Sequence, residues 1–214
     1  MDPTTGPRAD RDAEVVKGKL ARLDEPHVAP ITRLVEQIRV LVGTDVPYVD
    51  PTLGGVDAEV LFLFESPART AVRSALLSPD DDDPAAANVW EFYRASGLDR
   101  RRCVHWNAVP WPLGADRKSR HAERNDIEQA LPWLSRFVDL LPRLRLVVAL
   151  GDAARQALAL YLLREDARLV PWLAVAHPSG RVRGANPRIW QDVSRAFDVA
   201  ARITAPEQGR LLSD

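Results

Sequence analysis

Apolar residues in this chain fall into short continuous runs separated by stretches with a helical period. After Pro30, the residues Ile31, Leu34, Val35, Ile38 and Val42 recur at helical spacing, predicting an amphipathic helix that Gly43 stops. A turn-rich connection follows, with Pro47, Pro51 and the pair Gly54-Gly55. Val60-Leu61-Phe62-Leu63-Phe64 is apolar at every position, the pattern of a strand buried on both faces. Asp83-Pro84 reads as an N-cap and first-turn proline opening a helix through Val89, Trp90 and Tyr93 to Gly97. Residues 103–109 read as a second strand closed by Pro110. A long helix is expected over 122–141, where Pro132 predicts a kink or a late start. Residues 144–150 form a third strand, Gly151-Asp152 starts a helix through Tyr161, 172–176 is a fourth strand, and Asn186-Pro187 caps a last helix.

Strands alternating with helices predict an α/β fold of three layers, α/β/α, around a central, mostly parallel four-stranded sheet. The domain is expected over 26–203, with residues 1–25 a flexible tail, because charge alternates there without an apolar period, and 204–214 a second tail. Ligands of such sheets bind beyond the carboxyl ends of the strands. Three segments sit there: Glu65-Ser66-Pro67, Asn107-Ala108-Val109-Pro110 and His177-Pro178-Ser179-Gly180. Glu65 can orient or deprotonate water or stabilise positive charge, and His177 can donate to an oxygen gaining negative charge. Asn107 offers a donor and an acceptor on one planar group, suited to the edge of an amide-like base. Pro67 and Pro178 stiffen the turns, and Ser66 and Ser179 suit phosphate oxygens.

Composition narrows the chemistry. With 214 residues, 46% apolar and 28% charged, the chain has the profile of one globular domain. Its single cysteine, Cys103, excludes an internal disulfide framework and any iron–sulfur site needing several thiolates; no cofactor and no metal are expected. The polar N-terminus and the lack of a membrane-length apolar run fit a cytoplasmic protein. A net charge of −1 means that a DNA partner would have to be held by a local cationic patch. The run Asp80–Asp83 reads as a solvated loop that would repel phosphates, and His105 as a buried, hydrogen-bonded histidine. Among the tryptophans, Trp111 in the segment VPWPLG is the one placed for base contact.

VLFLFESPA, HWNAVPW, LRLVVALGDAARQAL and AVAHPSGR occur in that order and at matching spacing between about residues 57 and 190. Together they resemble the uracil-DNA glycosylase superfamily. The resemblance implies metal-independent, monofunctional hydrolysis of the N-glycosidic bond of uracil, or a related deaminated base, flipped out of DNA during base-excision repair. Glu65 and His177 would be catalytic and Asn107 would read the base. Ser66, Pro67 and Ser179 would also hold the substrate, while Gly180, Arg181 and Arg183 would contact DNA, Arg181 as a wedge. Phe64 stands where the family has glycine. The family's stacking phenylalanine is replaced at Leu76 or Leu77. The branch with cluster cysteines is excluded. The partner is DNA carrying a deaminated base, no membrane is involved, and a monomer is expected. A relative that keeps the pocket without turnover fits the same residues. An unrelated α/β hydrolase is disfavoured, since no Ser, Cys or Thr sits in a nucleophile-elbow setting.

Overall fold

The computed structural model describes residues 5–114, 119–180 and 186–205. Its centre is a four-stranded sheet of β2 (Val60–Phe64), β4 (Cys103–Asn107), β5 (Leu146–Leu150) and β6 (Trp172–Val175), in the order β4-β2-β5-β6. Every pairing in it is parallel. The continuous apolar runs are explained by the layers. Leu61 and Leu63 of β2 join Val104 and Trp106 in a core closed by α2 (Ala29–Val42), α5 (Arg124–Asp139) and α6 (Asp152–Leu162). Val60 and Phe62 face the other way, against α4 (Pro84–Ser96) and α7 (Pro187–Thr204). A strand covered on both sides must be apolar at both parities. The two edge strands differ: β4 is buried throughout, whereas β6 leaves Trp172 45% exposed.

Helix ends follow the local signals. Asp83 accepts from Ala85 and Ala86 N–H, and Gly97 closes α4 at φ 68°. Asn186 caps α7 by accepting from Arg188 and Ile189 N–H. α5 does not start late at Pro132: a reciprocal cap between Glu123 and Asp126 sets its start, and the helix continues through the proline. A small parallel pair, β1 (Tyr48–Val49) with β3 (Leu76–Leu77), lies outside the main sheet and is too short for a period to reveal.

The N-terminal segment corrects the expectation of a tail over 1–25. Among its described residues, Asp12 caps the helix α1 (Ala13–Leu20), and Lys19 is fully buried. Lys19 Nζ donates to Asp10 (2.8 Å), Asp50 (2.8 Å) and Asp80 (2.7 Å). Arg100 completes the cluster with a forked contact to both oxygens of Asp80 (2.8 and 3.0 Å) and a bond to Thr52 Oγ1 (2.7 Å). Burial works against ionising Asp50, yet Lys19 and Arg100 outweigh it and hold that carboxyl down at about 2. Charge rather than an apolar stripe anchors this segment. The acidic run is also not a solvated loop: Asp80 and Asp81 are buried, Asp82 pairs with Arg11, and Asp83 caps α4.

Candidate active site

The carboxyl ends of β2 and β4 are held in register beyond the last strand residues. Phe64 pairs with Asn107, and then Ala108 N–H donates to Phe64 O (2.7 Å) and Val109 N–H to Glu65 O (2.9 Å). Glu65 and Asn107 are therefore fixed side by side by backbone hydrogen bonds. His177 follows β6 on the far side of β5. Gly151 makes room for it: at φ 97°, a side chain there would place its Cβ 3.3 Å from His177 Cβ. The turn after His177 is tight, with Ser179 N–H donating to His177 O (2.7 Å). α4 fixes it from the side, because the buried Asn88 donates from Nδ2 to Pro178 O (2.8 Å).

These ends open on one cavity of about 660 Å³, bordered by Phe64, Glu65, Ser66, Asn107, His177, Ser179 and Gly180. Its second wall comes from α3 (Arg69–Ser74), the segment 77–83 and the start of α4. Asn107 is 3% exposed, and its Oδ1 is buried with no hydrogen-bond partner. Leaving such an acceptor unpaired costs about 1–3 kcal/mol, so a donor supplied by a ligand recovers that cost. Burial pushes the His177 imidazole below its ordinary value, opposed by the nearby Asp83 and Glu65 and aided by His121. His105 lies on the floor with Nε2 2.9 Å from Tyr93 Oη; burial, with Arg100, drives it to about 3, so it is neutral.

His121 is a site residue that the sequence reading missed. Its Nδ1 lies 3.1 Å from Glu65 Oε1, and the neighbouring Ala122 N–H donates to the same oxygen (2.7 Å). It sits in a polar stretch before α5 with no strand or helix period to mark it. Three other placements differ from expectation. Leu76 is fully buried in β3, and Leu77 borders the cavity instead, as alternation along a strand requires. Pro67 is buried behind the turn and does not border the cavity, and Trp111 packs against the core. Phe64 sits between the two imidazoles, its ring centroid 5.2 Å from His105 and 6.2 Å from His177. Arg181 and Arg183 lie outside the described residues.

The cavity pairs a buried hydrogen-bonding edge with a more accessible carboxylate and imidazole. Such equipment is chemically suited to a flat heterocycle with hydrogen-bonding groups along one edge. Comparison with known families agrees: residues 51–196 match the family described as Uracil DNA glycosylase superfamily, and the chain belongs to it. Its general function is thus that of a DNA glycosylase. No curated protein matches the chain.

Proposed function

We propose that the protein removes uracil, or a related deaminated base, from DNA by hydrolysing the N-glycosidic bond, using its own side chains without a metal. The observation that carries this reading is the unpaired, buried Oδ1 of Asn107 in the same cavity as Glu65 and His177. Uracil presents an N–H flanked by two carbonyl oxygens, which suits a carboxamide with an unpaired acceptor. As the bond breaks, the base takes negative charge at O2 and the sugar becomes cationic. A neutral imidazole at His177 donates to that oxygen, and the Glu65 carboxylate stabilises the sugar cation and orients the attacking water. Ala122 N–H and His121 hold Glu65 in place for this step. Phe64 supplies an aromatic surface to the cavity, and of Leu76 and Leu77, the pair matched to the family's stacking position, the aliphatic Leu77 is the one that borders it. Ser66 and Ser179 are assigned to phosphate contacts, and Gly180, Arg181 and Arg183 to the DNA rim. The protein acts in this reading as a monomer in a reducing, cytoplasmic setting, in keeping with a single buried cysteine.

Single-turnover excision from uracil-containing oligonucleotides in the presence of chelator tests the reading. Base release that His177→Ala and Glu65→Gln both depress supports it. Wild-type protein that binds the DNA and releases no base would overturn it.

A further inference from the structure

Residues 5–22 lie ahead of the stretch matched to the family, and the side chains they bury are Asp10 and Lys19. No apolar side chain of this segment is buried or packs against either core. Hydrophobic burial, the ordinary driving force for docking, therefore does little to hold it. Its attachments are polar, and they converge on residues 80–82. Gly6 N–H donates to Asp80 Oδ1 (3.3 Å), Asp10 N–H to Asp80 O (3.1 Å), and Lys19 Nζ to Asp80 Oδ2 (2.7 Å). Arg11 and Arg8 pair with Asp82 at 2.8 and 3.6 Å. Ser78, Asp81 and Asp83 of the same stretch border the cavity. A segment that adds nothing apolar to the core is thus fastened to the cavity wall.

From Asp80 the contacts continue to His177. Asp80 Oδ1 accepts from Trp90 Nε1 (2.6 Å), and Trp90 lies on α4, whose start is capped by Asp83. Two residues before Trp90, Asn88 donates from Nδ2 to Pro178 O (2.8 Å). Pro178 stands in the turn that Ser179 N–H closes on His177 O (2.7 Å), so α4 holds the backbone from which the imidazole projects. Glu65 is held otherwise, by Ala122 N–H and by the register of β2 with β4. We infer that the N-terminal segment is a strap that positions His177, with Lys19, Trp90 and Asn88 as positioning residues acting through Asp80 and Pro178. Its effect on base release rests on the glycosylase reading above; its effect on the backbone at His177 does not. A contiguous chain of hydrogen bonds and one rigid helix is the physical means by which such coupling travels. The strap therefore bears on the donor to the leaving base and not on the carboxylate.

Two full-length variants test the two ends of this path. Trp90→Phe removes the bond to Asp80 and keeps an aromatic ring. Arg8→Ala combined with Arg11→Ala frees the segment from Asp82 and leaves the buried cluster intact. Hydrogen exchange read by mass spectrometry should show residues 172–180 exchanging about 10-fold faster in Trp90→Phe, the worth of one hydrogen bond to a charged group. In the double arginine variant the same residues should exchange about two- to fivefold faster, since exposed pairs are worth less. β2 and β5 should keep wild-type rates in both, as a local opening requires. Unchanged exchange at 172–180 in either variant would overturn the proposal, and so would equal acceleration in all four strands, the mark of a global loss of stability. With saturating uracil-containing DNA, Trp90→Phe should slow single-turnover base release by about 10-fold through misplacement of the donor. In a His177→Ala background the same change should cost less than about twofold, because the group it positions is gone. A cost of equal size in both backgrounds would overturn the role assigned to the strap. If Trp90→Phe does not fold, Asn88→Ala breaks the last link and is held to the same outcomes. If wild-type protein releases no base, the glycosylase reading has failed, and hydrogen exchange alone decides on the strap.

Discussion

Asp80 and Asp81 are neighbours in the chain, yet they belong to two buried polar regions of opposite character. Asp80 sits in a cluster where Lys19 and Arg100 meet three carboxylates and Trp90 Nε1 adds a further bond (2.6 Å). Asp81 faces a cavity where Asn107 has an unpaired oxygen, and its own oxygens accept from Thr70 Oγ1 and Asp82 N–H. Both regions carry a desolvation cost; the first offsets part of it with ion pairs inside the protein. The cluster is tied together by several ion pairs, although Asp10 Oδ2 and Arg100 Nε lack partners, whereas the unpaired Asn107 oxygen borders a cavity where a ligand can reach it. The ionic cluster thus holds the wall that the cavity uses.

The largest expected effect tests the partnered side of this contrast. Lys19→Met leaves Asp10, Asp50 and Asp80 facing one another with Arg100 alone, and breaking a buried pair in this way typically costs about 3–5 kcal/mol. Urea unfolding should show a loss of that size; a loss under about 1 kcal/mol would put the cluster among ordinary surface pairs. On the cavity side, His177→Ala and Glu65→Gln should each lower single-turnover base release by about 100- to 1000-fold. Their unfolding midpoints should stay close to wild type, because neither side chain belongs to the packed core.

The third prediction concerns pH. The folded Asp81 carboxyl titrates at about 6, above its ordinary unfolded value of about 3.9. The folded state therefore binds this proton more tightly, so its contribution to stability is full below about pH 4 and is lost as pH rises through 6. Asp81→Asn should flatten that loss, by about 1–2 kcal/mol once solvent screening is allowed for. Unfolding curves at pH 4.5 and pH 7 for both proteins measure it. The smallest effect has the opposite sign from ordinary core damage. Asn107→Leu removes an unpaired buried acceptor and should leave stability unchanged or raise it by about 1 kcal/mol, while uracil excision falls sharply. A strongly destabilised Asn107→Leu would mean that the amide is structural.

Three strands of the main sheet were legible as continuous apolar runs and β4 as a largely apolar run closed by Pro110, and Asp83-Pro84 and Asn186-Pro187 marked two helix starts by cap chemistry alone. Glu65, Asn107 and His177 were legible as polar residues leaving such runs, since parallel strands present their carboxyl ends together. What escaped was whatever depends on long-range charge. Lys19 gives no sign in the sequence that its partners are Asp10, Asp50 and Asp80, so its helix reads as tail and the acidic run as solvated loop. His121 escaped for a related reason: it reaches Glu65 by the return of a polar connection, which carries no period. Leu76 and Leu77 could not be told apart because a two-residue strand is too short to show which side chain faces the cavity.

The connectivity of the sheet has a consequence for how the protein is made. The central strand β2 is synthesised before β4, β5 and β6, and since all pairings are parallel, none can close as a local hairpin. Each waits for a crossover, which makes folding slow and dependent on distant parts of the chain. Phe62 on β2 meets Phe197 of α7 only when that last helix has left the ribosome, with their rings stacked 4.5 Å apart. The Glu65 carboxylate and the Asn107 amide are thus delivered early, and the imidazole at 177 late, just ahead of the helix that seals the second core. Under the proposed function, a chain cut short before that point would lack the His177 donor, and incomplete products of translation are expected to show no excising activity.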